Sequence, residues 1–327
     1  MGTGWIAERF VGSLQSHSSQ QVVAVGSRSH STADLFARRF GILRSHASYH
    51  DLVADSAVDV IYVATPHTAH LEGALLALEA GKHTVVEKPL AMNAGEARKI
   101  ASVAAARNLF CMEAHWTTFL PKYDILQQLL DSGALGDIMT VVADFGEWFP
   151  RQHRIFRSDL AGGPMLDLGT YLVSLVVKVF GSSPDQIVAR SSKLDCGVMG
   201  QTAMILTYGD RQAALHTTIL ANTPTSATIA GTKATIVIDG PFYQPGGFTL
   251  TSIDGARSLR YEEPQDAHEG GLHYEAAEAA RRIANREVES PLRPLALSIK
   301  TIAIMDEVRR LTQDYFLGEK TPTSDLA

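Results

Sequence analysis

The sequence predicts an α/β protein with two domains, and two observations carry this prediction. In the first third of the 327-residue chain, short β-rich runs alternate with helical patterns, which requires crossover connections and a parallel sheet covered by helices. After residue 120, β-rich runs follow one another without helices between them, which indicates a large, mostly antiparallel open sheet. We place the domain boundary between residues 1–118 and 119–327.

End signals define the elements of the first domain. Gly81 follows an apolar segment as a residue just past a helix, and Asn93 with Glu96 three positions later has the pattern of a capping box. The predicted strands are 21–26, 58–65, 83–87 and 109–113, and the predicted helices are 5–16, 31–40, 70–80 and 94–107.

The second domain is predicted to combine helices at both ends with a run of strands. Its helices are expected near 120–132, 164–180, 269–286 and 294–312. Its strands are expected at 138–145, 186–193, 202–208, 213–220, 226–229, 235–239 and 248–252.

The composition is that of a globular protein. A hydrophobic content of 45% and a charged content of 20% suffice for two cores, and the net charge of −6 contains no block of like charges, so neither nucleic acid nor a membrane is an implied partner. No apolar run reaches the ~18 residues of a membrane span. We expect Cys111 and Cys196 to be reduced core thiols of a cytoplasmic protein, and we expect no metal site.

The chain opens with the pattern G-x-G-x-x-A, in which small residues let the backbone approach a pyrophosphate at the start of a helix. With the following βα alternation it predicts a Rossmann dinucleotide-binding domain. The residues expected to bind the cofactor here are Gly2, Thr3, Gly4, Trp5 and Ile6. Only Met1 precedes Gly2, so we expect the first strand to be missing and the natural product to carry about ten more residues, rich in Val, Ile and Leu, before Gly2.

The end of the predicted strand 21–26 bears on the choice of cofactor. It reads Gly26-Ser27-Arg28-Ser29, with no acidic residue before Asp34. An acid there would accept the ribose 2′-hydroxyl, whereas an arginine accommodates a 2′-phosphate. Ser27 and Arg28 therefore favour NADP(H) over NAD(H), although an arginine in such a turn can also be a solvent-exposed charge.

Two further patterns place ionisable side chains at the ends of regular elements. Lys88 follows an apolar strand and precedes a proline, at the carboxyl end of a parallel sheet where ligands bind. Asp167 and Tyr171 stand four residues apart near the start of a helix, and Gly162 with Gly163 would leave that start open to a ligand. The alternative makes Asp167 an acid favoured by the helix dipole and Tyr171 a core phenol.

These patterns together resemble the superfamily of glucose-fructose oxidoreductase, inositol dehydrogenase and rhizopine catabolism proteins, and within it the branch of dimeric dihydrodiol dehydrogenases and NADP-dependent xylose dehydrogenases. The resemblance extends over nearly the whole chain. It rests on Thr65-Pro66-His67 with His70, Glu87-Lys88-Pro89, Glu113-Ala114-His115-Trp116-Thr117, Gly162-Gly163 with Asp167-x-Gly169-x-Tyr171, and Glu289-Ser290-Pro291-Leu292-Arg293-Pro294.

The resemblance implies an NAD(P)-dependent oxidoreductase that acts on a sugar, a sugar derivative or a cyclic trans-diol, with a C-terminal sheet that forms a homodimer or higher oligomer. It implies that Tyr171 is the acid/base and that Lys88 stabilises its phenolate, while Asp167 would hold a second substrate hydroxyl. Two alternatives stay open, a cofactor-binding regulatory or sensor protein of the same fold and a redox-assisted glycosidase.

Further side chains are expected to bind the nicotinamide cofactor. Thr65, Pro66, His67, His70 and Glu87 are expected to join Lys88 at the cofactor, although a histidine at a helix start is as often a cap.

The aromatic and arginine side chains near the predicted substrate site receive separate interpretations. Trp116 and Phe145 are expected to be walls of the substrate pocket. Arg151, Arg154 and Arg157 are interpreted as a solvated loop, with contact to an anionic substrate group as the alternative.

Overall fold

The computed structural model describes residues 1–263 and 270–316. These residues form two compact units, the first comprising 1–119 and 270–299 and the second comprising 120–263 and 300–316. The sequence analysis assigned everything after residue 118 to the second domain. The return of 270–299 to the first unit was not predicted, because the amphipathic pattern of a helix does not indicate which sheet it covers.

The first unit begins with alternating helices and strands, as predicted. Its elements up to residue 114 are α1 Trp5–His17, β1 Ala24–Gly26, α2 His30–Phe40, β2 Arg44–His46, α3 Tyr49–Ala54, β3 Val60–Val63, α4 His70–Glu79, β4 His83–Glu87, α5 Ala94–Arg107 and β5 Cys111–Ala114. The short elements α3 and β2 were not predicted.

The predicted helix signals are confirmed. Gly81 has a φ of +79° after α4, and the side chain of Asn93 accepts a hydrogen bond from the backbone N–H of Glu96 at 2.9 Å. The Glu96 carboxylate accepts in turn from the backbone N–H of Met92 at 3.1 Å, one residue before the position of an ideal capping box.

The strands of the first unit form two parallel sheets, β1–β2 and β3–β4–β5. Among the described residues, no strand lies between β1 and β3, and an apolar cavity of about 360 Å³ separates them. Gly2 donates its N–H to the Gly26 carbonyl, and Ala64 donates its N–H to the Met1 carbonyl, both at 2.9 Å. Met1 and Gly2 therefore join the carboxyl ends of the two sheets, where ligands of parallel sheets bind.

The remaining elements carry the second sheet and the last helices. They are α6 Pro121–Asp131, β6 Ile138–Gly146, α7 Thr170–Phe180, β7 Gln186–Lys193, β8 Met199–Tyr208, β9 Arg211–Thr218, β10 Ala227–Gly231, β11 Ala234–Ile238, β12 Phe248–Ser252, β13 Ser258–Tyr261, α8 His273–Ala284 and α9 Leu295–Thr312. Strand β13 was not predicted. Helix α8 belongs to the first unit.

The second unit contains one sheet of eight strands in the order β13-β12-β11-β10-β6-β9-β8-β7. Only β6 and β9 pair in parallel, so the prediction of a large, mostly antiparallel sheet is confirmed. Along β6, Val141 and Ala143 are buried while Val142 is 49% exposed. One face of the sheet is therefore packed and the other faces outward.

Two predictions from composition need correction. Cys111 is buried, but Cys196 is exposed between β7 and β8, because it follows Asp195 and precedes Gly197 in a turn. The segment Ser158–Phe180 also has the length and hydropathy of a membrane span, although no such run was expected. Since 94% of its apolar window is buried in the protein, it has the burial of a core helix.

Candidate active site

The glycine turn before α1 has the form of a phosphate cradle. Gly2 has a φ of +97°, and a Cβ there would lie 2.5 Å from the Ala64 carbonyl oxygen, so only glycine fits. Gly4 precedes α1 without a side-chain cap, and a Cβ on it would meet no atom within 4 Å. Uncapped N–H groups beside open space fit an anionic group such as a pyrophosphate. Around them Thr3 and Ile6 are half-buried and Trp5 is exposed.

The end of β3 contributes a second part of the predicted cofactor site. The buried hydroxyl of Thr65 has no hydrogen-bond partner among the described residues, and Pro66 beside it is exposed. His70 is fully buried, and its two ring nitrogens lie 2.8 Å from the Pro89 carbonyl oxygen and 3.0 Å from that of Thr65. His67 packs edge-on against His70. For His70, this geometry favours a role in tying two backbone segments together over direct contact with the cofactor.

The turn after β1 leaves Arg28 exposed and Ser27 buried. Asp34 is the first acidic residue that follows in the sequence. Its carboxylate already accepts hydrogen bonds from the Ser45 hydroxyl at 2.9 Å and from the Arg38 guanidinium at 2.8 Å. No acidic side chain therefore stands in this turn beside Arg28.

Lys88 is half-buried and joins Pro89 through a cis peptide bond. The preceding Glu87 is buried, accepts a hydrogen bond from the Tyr62 hydroxyl, and accepts a second from the Lys88 N–H at 3.1 Å. Burial raises the pKa of Glu87 to about 7, although the hydrogen bond from Tyr62 and the charge of Lys88 oppose the rise. The carboxyl end of β4 therefore holds a lysine beside a carboxyl that titrates near neutral pH.

A buried ion pair that the sequence did not reveal lies next to this strand end. The Glu113 carboxylate accepts from Arg293 at 2.7 and 2.9 Å, from the Ser298 hydroxyl at 2.6 Å, and from the Leu90 N–H at 2.9 Å. Burial by itself raises the pKa of Glu113, but the Arg293 charge and these hydrogen bonds bring it down to about 2. Burial, with the Arg293 charge, lowers the pKa of the neighbouring His115 to about 3, so its imidazole is neutral.

In the second unit, Tyr171 lies in a group of three aromatic side chains. Its ring centroid is 5.7 Å from that of Phe145 and 4.8 Å from that of Tyr243. Phe145 and Tyr243 stack on each other at 4.5 Å and 19°. Tyr243 was not predicted, since the aromatic pair Phe242-Tyr243 in the Pro-Gly-rich stretch between β11 and β12 belongs to no periodic pattern that would mark it as part of a site. Trp116 lies in the first unit, half-buried in a short helix Trp116–Phe119.

The predicted helix start at 164 is confirmed, but its first turn, Met165–Gly169, is π-helical. Such turns are frequent at functional sites. Asp167 lies in this turn and is almost fully buried, and its carboxylate accepts from the Arg154 guanidinium at 2.7 and 3.3 Å. The contact of Arg154 with Asp167 was not predicted, although the Arg154 side chain is 46% exposed, as expected for a solvated loop, and Arg157 pairs with exposed Asp159.

The sequence analysis expected Gly162 to leave the start of the helix open to a ligand, and the structure contradicts this expectation. A Cβ on Gly162 would lie 2.4 Å from the Ile155 carbonyl oxygen and 2.8 Å from that of Arg157. The glycine is therefore required by the close approach of its own chain. Gly163, with a φ of +118°, is required by its backbone conformation.

Comparison with known proteins identifies the family of the chain. Residues 1–115 match the family model of the "Oxidoreductase family, NAD-binding Rossmann fold", and residues 123–237 match the "GFO/IDH/MocA C-terminal domain". The chain is 35% identical over 291 residues to the trans-1,2-dihydrobenzene-1,2-diol dehydrogenase of Xenopus tropicalis, covering 88% of each protein.

Solved structures show the same fold. KijD10, a 3-ketoreductase from Actinomadura kijaniata in complex with NADP and TDP-benzene, superposes with a TM-score of 0.83 at 24% identity, over 95% of this chain and 96% of that one. The aldose-aldose oxidoreductase from Caulobacter crescentus, complexed with glycerol, superposes with a TM-score of 0.85 at 20% identity, over 97% and 98%. The chain therefore belongs to the GFO/IDH/MocA family of oxidoreductases, which bind their nicotinamide cofactor with a Rossmann fold.

Proposed function

We propose that the protein is an NADP(H)-dependent oxidoreductase acting on the CH–OH group of a sugar, a sugar derivative or a cyclic trans-diol. The observation that carries the proposal is the Tyr171 phenol, which contacts Phe145 and Tyr243 and follows the π-helical turn that holds the Asp167–Arg154 ion pair. Flat apolar rings suit the C–H face of a cyclic substrate, and a buried carboxylate suits its hydroxyls. The names of the similar proteins, a dihydrodiol dehydrogenase, a 3-ketoreductase and an aldose-aldose oxidoreductase, support this class.

In this proposal each residue has one task. The bound nicotinamide supplies the acceptor or donor of the hydride. Tyr171 takes the proton of the substrate hydroxyl in oxidation and returns it in reduction. A phenol with an ordinary pKa of ~10 is a weak base at neutral pH, so it needs a nearby cation, and the family resemblance assigns that role to Lys88.

Asp167 binds a second substrate hydroxyl in this proposal. Two hydrogen bonds from Arg154 orient the buried carboxylate of Asp167, and a carboxylate accepts hydrogen bonds from hydroxyl groups. Because the carboxylate already pairs with the Arg154 guanidinium, its proposed task is to accept a hydrogen bond from the substrate and not to donate a proton. A substrate with two neighbouring hydroxyls would then place one at Tyr171 and the other at Asp167.

The preference for NADP(H) is proposed from the turn after β1. Arg28 is exposed there, and Asp34 is held by Ser45 and Arg38, which leaves a cation but no acid for the ribose. The uncapped start of α1 and the unpartnered Thr65 hydroxyl complete a polar surface of the kind that a dinucleotide needs.

We also propose that the protein forms a homodimer through the outward face of its eight-stranded sheet. Val142, Val188 and Ile205 are each 44–54% exposed on three strands of this face, beside a groove of about 470 Å³. Contiguous exposed apolar surface of this kind marks an interaction site. Both cysteines are free thiols, which fits the reducing cytoplasm that we propose as the location.

A cofactor-fluorescence screen of the purified protein against aldoses, keto-deoxysugars and cyclic trans-diols tests the function. On a substrate that is turned over, we expect Tyr171→Phe and Lys88→Met each to lower kcat by at least ~100-fold with little change in cofactor affinity, because each removes part of a positioned acid/base. Tyr208→Phe is the matched control, since this phenol has no hydrogen-bond partner among the described residues and packs on Phe180.

The outcomes separate the candidate functions. Near-normal turnover by Tyr171→Phe would make the phenol structural. Tight cofactor binding without turnover of any substrate would favour a sensor protein of this fold.

A further inference from the structure

Three carboxyl groups are buried together in the first unit, and the proposed reaction uses none of them directly. Glu87 ends β4, Glu113 lies on β5 and Glu275 lies in the first turn of α8; each is at most 5% exposed. The charges of Glu87 and Glu113 both act on Glu275. Their surroundings differ, so the three groups cannot share one protonation state.

Glu113 and Glu275 are the two extremes. Glu113 has the Arg293 guanidinium, the Ser298 hydroxyl and a backbone N–H as partners and is ionised. Neither carboxyl oxygen of Glu275 has a hydrogen-bond partner within residues 1–263 and 270–316. Burial, and then the charges of Glu87 and Glu113, raise the pKa of Glu275 well above its ordinary value. A buried carboxyl without a donor or a cation keeps its proton.

Glu87 stands between these extremes. The Tyr62 hydroxyl on β3 and the backbone N–H of Lys88 donate to its two oxygens, which orients the carboxylate. The charged or titratable groups that face it are Tyr62 from β3, Lys88 from its own strand end, Glu113 from β5 and Glu275 from α8.

The lysine beside Glu87 acts on two further groups. The Lys88 charge lowers the pKa of the buried His70, after the larger effect of burial. It also lowers the pKa of the buried His115, after burial and the Arg293 charge. Both imidazoles are therefore neutral, and Glu87 is the group in this cluster whose charge can change near neutral pH.

We propose that Glu87 is a positioning residue for Lys88: within the buried cluster that also holds Glu275, its carboxylate is oriented by the Tyr62 hydroxyl, accepts the Lys88 backbone N–H and places a negative charge near the ammonium. This inference rests on the proposed function, in which Lys88 stabilises the Tyr171 phenolate. When Glu87 takes up a proton, Lys88 loses the negative charge that this carboxylate places near it. Turnover that depends on ionised Glu87 is present above about pH 7 and is lost as the pH falls through that value.

Infrared titration of the full-length protein tests the protonation states without any substrate. Protonated carboxyls absorb apart from carboxylates, and Glu87→Gln and Glu275→Gln each identify one band by its loss. As the pH is raised, we expect the band of the protonated Glu87 carboxyl to disappear with a midpoint near pH 7. The band of the protonated Glu275 carboxyl should persist to a pH well above that midpoint. A Glu87 that is ionised down to acidic pH, or a Glu275 that ionises before it, overturns the inference.

The pH profile of kcat/KM tests the positioning role. We expect an acidic limb at the infrared midpoint of Glu87, and we expect Tyr62→Phe to move both upward by about one pH unit, because the phenol favours the ionised carboxylate. Glu275→Gln is the matched control: it replaces one uncharged group by another and leaves the midpoint in place. An acidic limb that does not move in Tyr62→Phe, while the infrared midpoint does, overturns the positioning role alone. Absence of turnover with every substrate overturns the proposed function and the role that rests on it, and the infrared midpoints distinguish that case.

Discussion

Replacing Arg293 by leucine should destabilise the first unit by about 3 to 5 kcal/mol at neutral pH. The reason is the buried Glu113, which the variant leaves without its cation. The pKa of Glu113 is about 2, against an ordinary value of 4.5. At about 1.4 kcal/mol for each pKa unit, folding therefore favours the ionised over the protonated carboxyl by about 3 kcal/mol.

The two units need not unfold together, so the measurement has to report on the first unit. Guanidinium unfolding followed by amide hydrogen exchange of β4 and β5 meets this need. Arg38→Leu on α2 is the matched control, because it breaks an exposed pair with Asp34 in the same unit and should cost less than ~1 kcal/mol.

The pH dependence gives a second check. A carboxyl whose folded pKa is lowered contributes stability that is present above its unfolded pKa and is lost as the pH falls through the folded value. For Glu113 this window runs from 4.5 down to about 2. The difference between wild type and Arg293→Leu should therefore shrink as the pH falls through this window.

A double-mutant cycle decides whether the pair itself is responsible. The double variant Glu113→Gln/Arg293→Leu should lose at least ~2 kcal/mol less free energy of unfolding than the sum of the losses in the two single variants. The reason is that neither partner is then left as an isolated buried charge. Additive losses, or a loss below ~1 kcal/mol in Arg293→Leu, would refute the reasoning.

Two further predictions concern the cofactor and the assembly. Arg28→Ala should weaken NADP(H) binding by about 10- to 100-fold and leave NAD(H) binding nearly unchanged, because a charge-assisted contact to a 2′-phosphate is worth ~1.5 to 3 kcal/mol. Calorimetry measures the affinities for both cofactors, and Arg38→Ala is the control variant. Equal affinities of the wild type for NADP(H) and NAD(H) would contradict the assignment. Ile205→Asp should convert the dimer to a monomer in a sedimentation experiment, because it would bury a charge in the apolar interface. Leu43→Asp, at an exposed position of the first unit, should leave the dimer intact. A wild-type protein that sediments as a monomer would exclude the proposed interface.

Regular elements with strong local signals could be predicted from the sequence. The strand His83–Glu87 is bounded by a helix-ending glycine and by a proline, and it was predicted to the residue. The six-residue α3 was not predicted, because one and a half turns show no period that exceeds chance. Strand β13, of four residues, carries mostly exposed side chains and so lacks an apolar alternation.

The candidate site could be predicted only where a residue and its partner belong to one short pattern. Asp167 and Tyr171 were selected through their spacing, but the contact of Arg154 with Asp167 was not predicted, because a loop sequence does not show which group an arginine contacts. Glu113 and Arg293 are 180 residues apart, and nothing in a single sequence links them. Buried charge pairs of this kind are fixed by the fold after its local elements have formed.

The distance of 180 residues between Glu113 and Arg293 also has a consequence for synthesis on the ribosome. At ~5 to 20 residues per second, Glu113 is made roughly 10 to 35 s before its cation. Residues 120–263 of the second unit are translated during this interval. The first unit, although it begins the chain, therefore completes its buried Glu113–Arg293 ion pair only near the end of synthesis, and any nascent chain shorter than 293 residues leaves that carboxylate without its guanidinium.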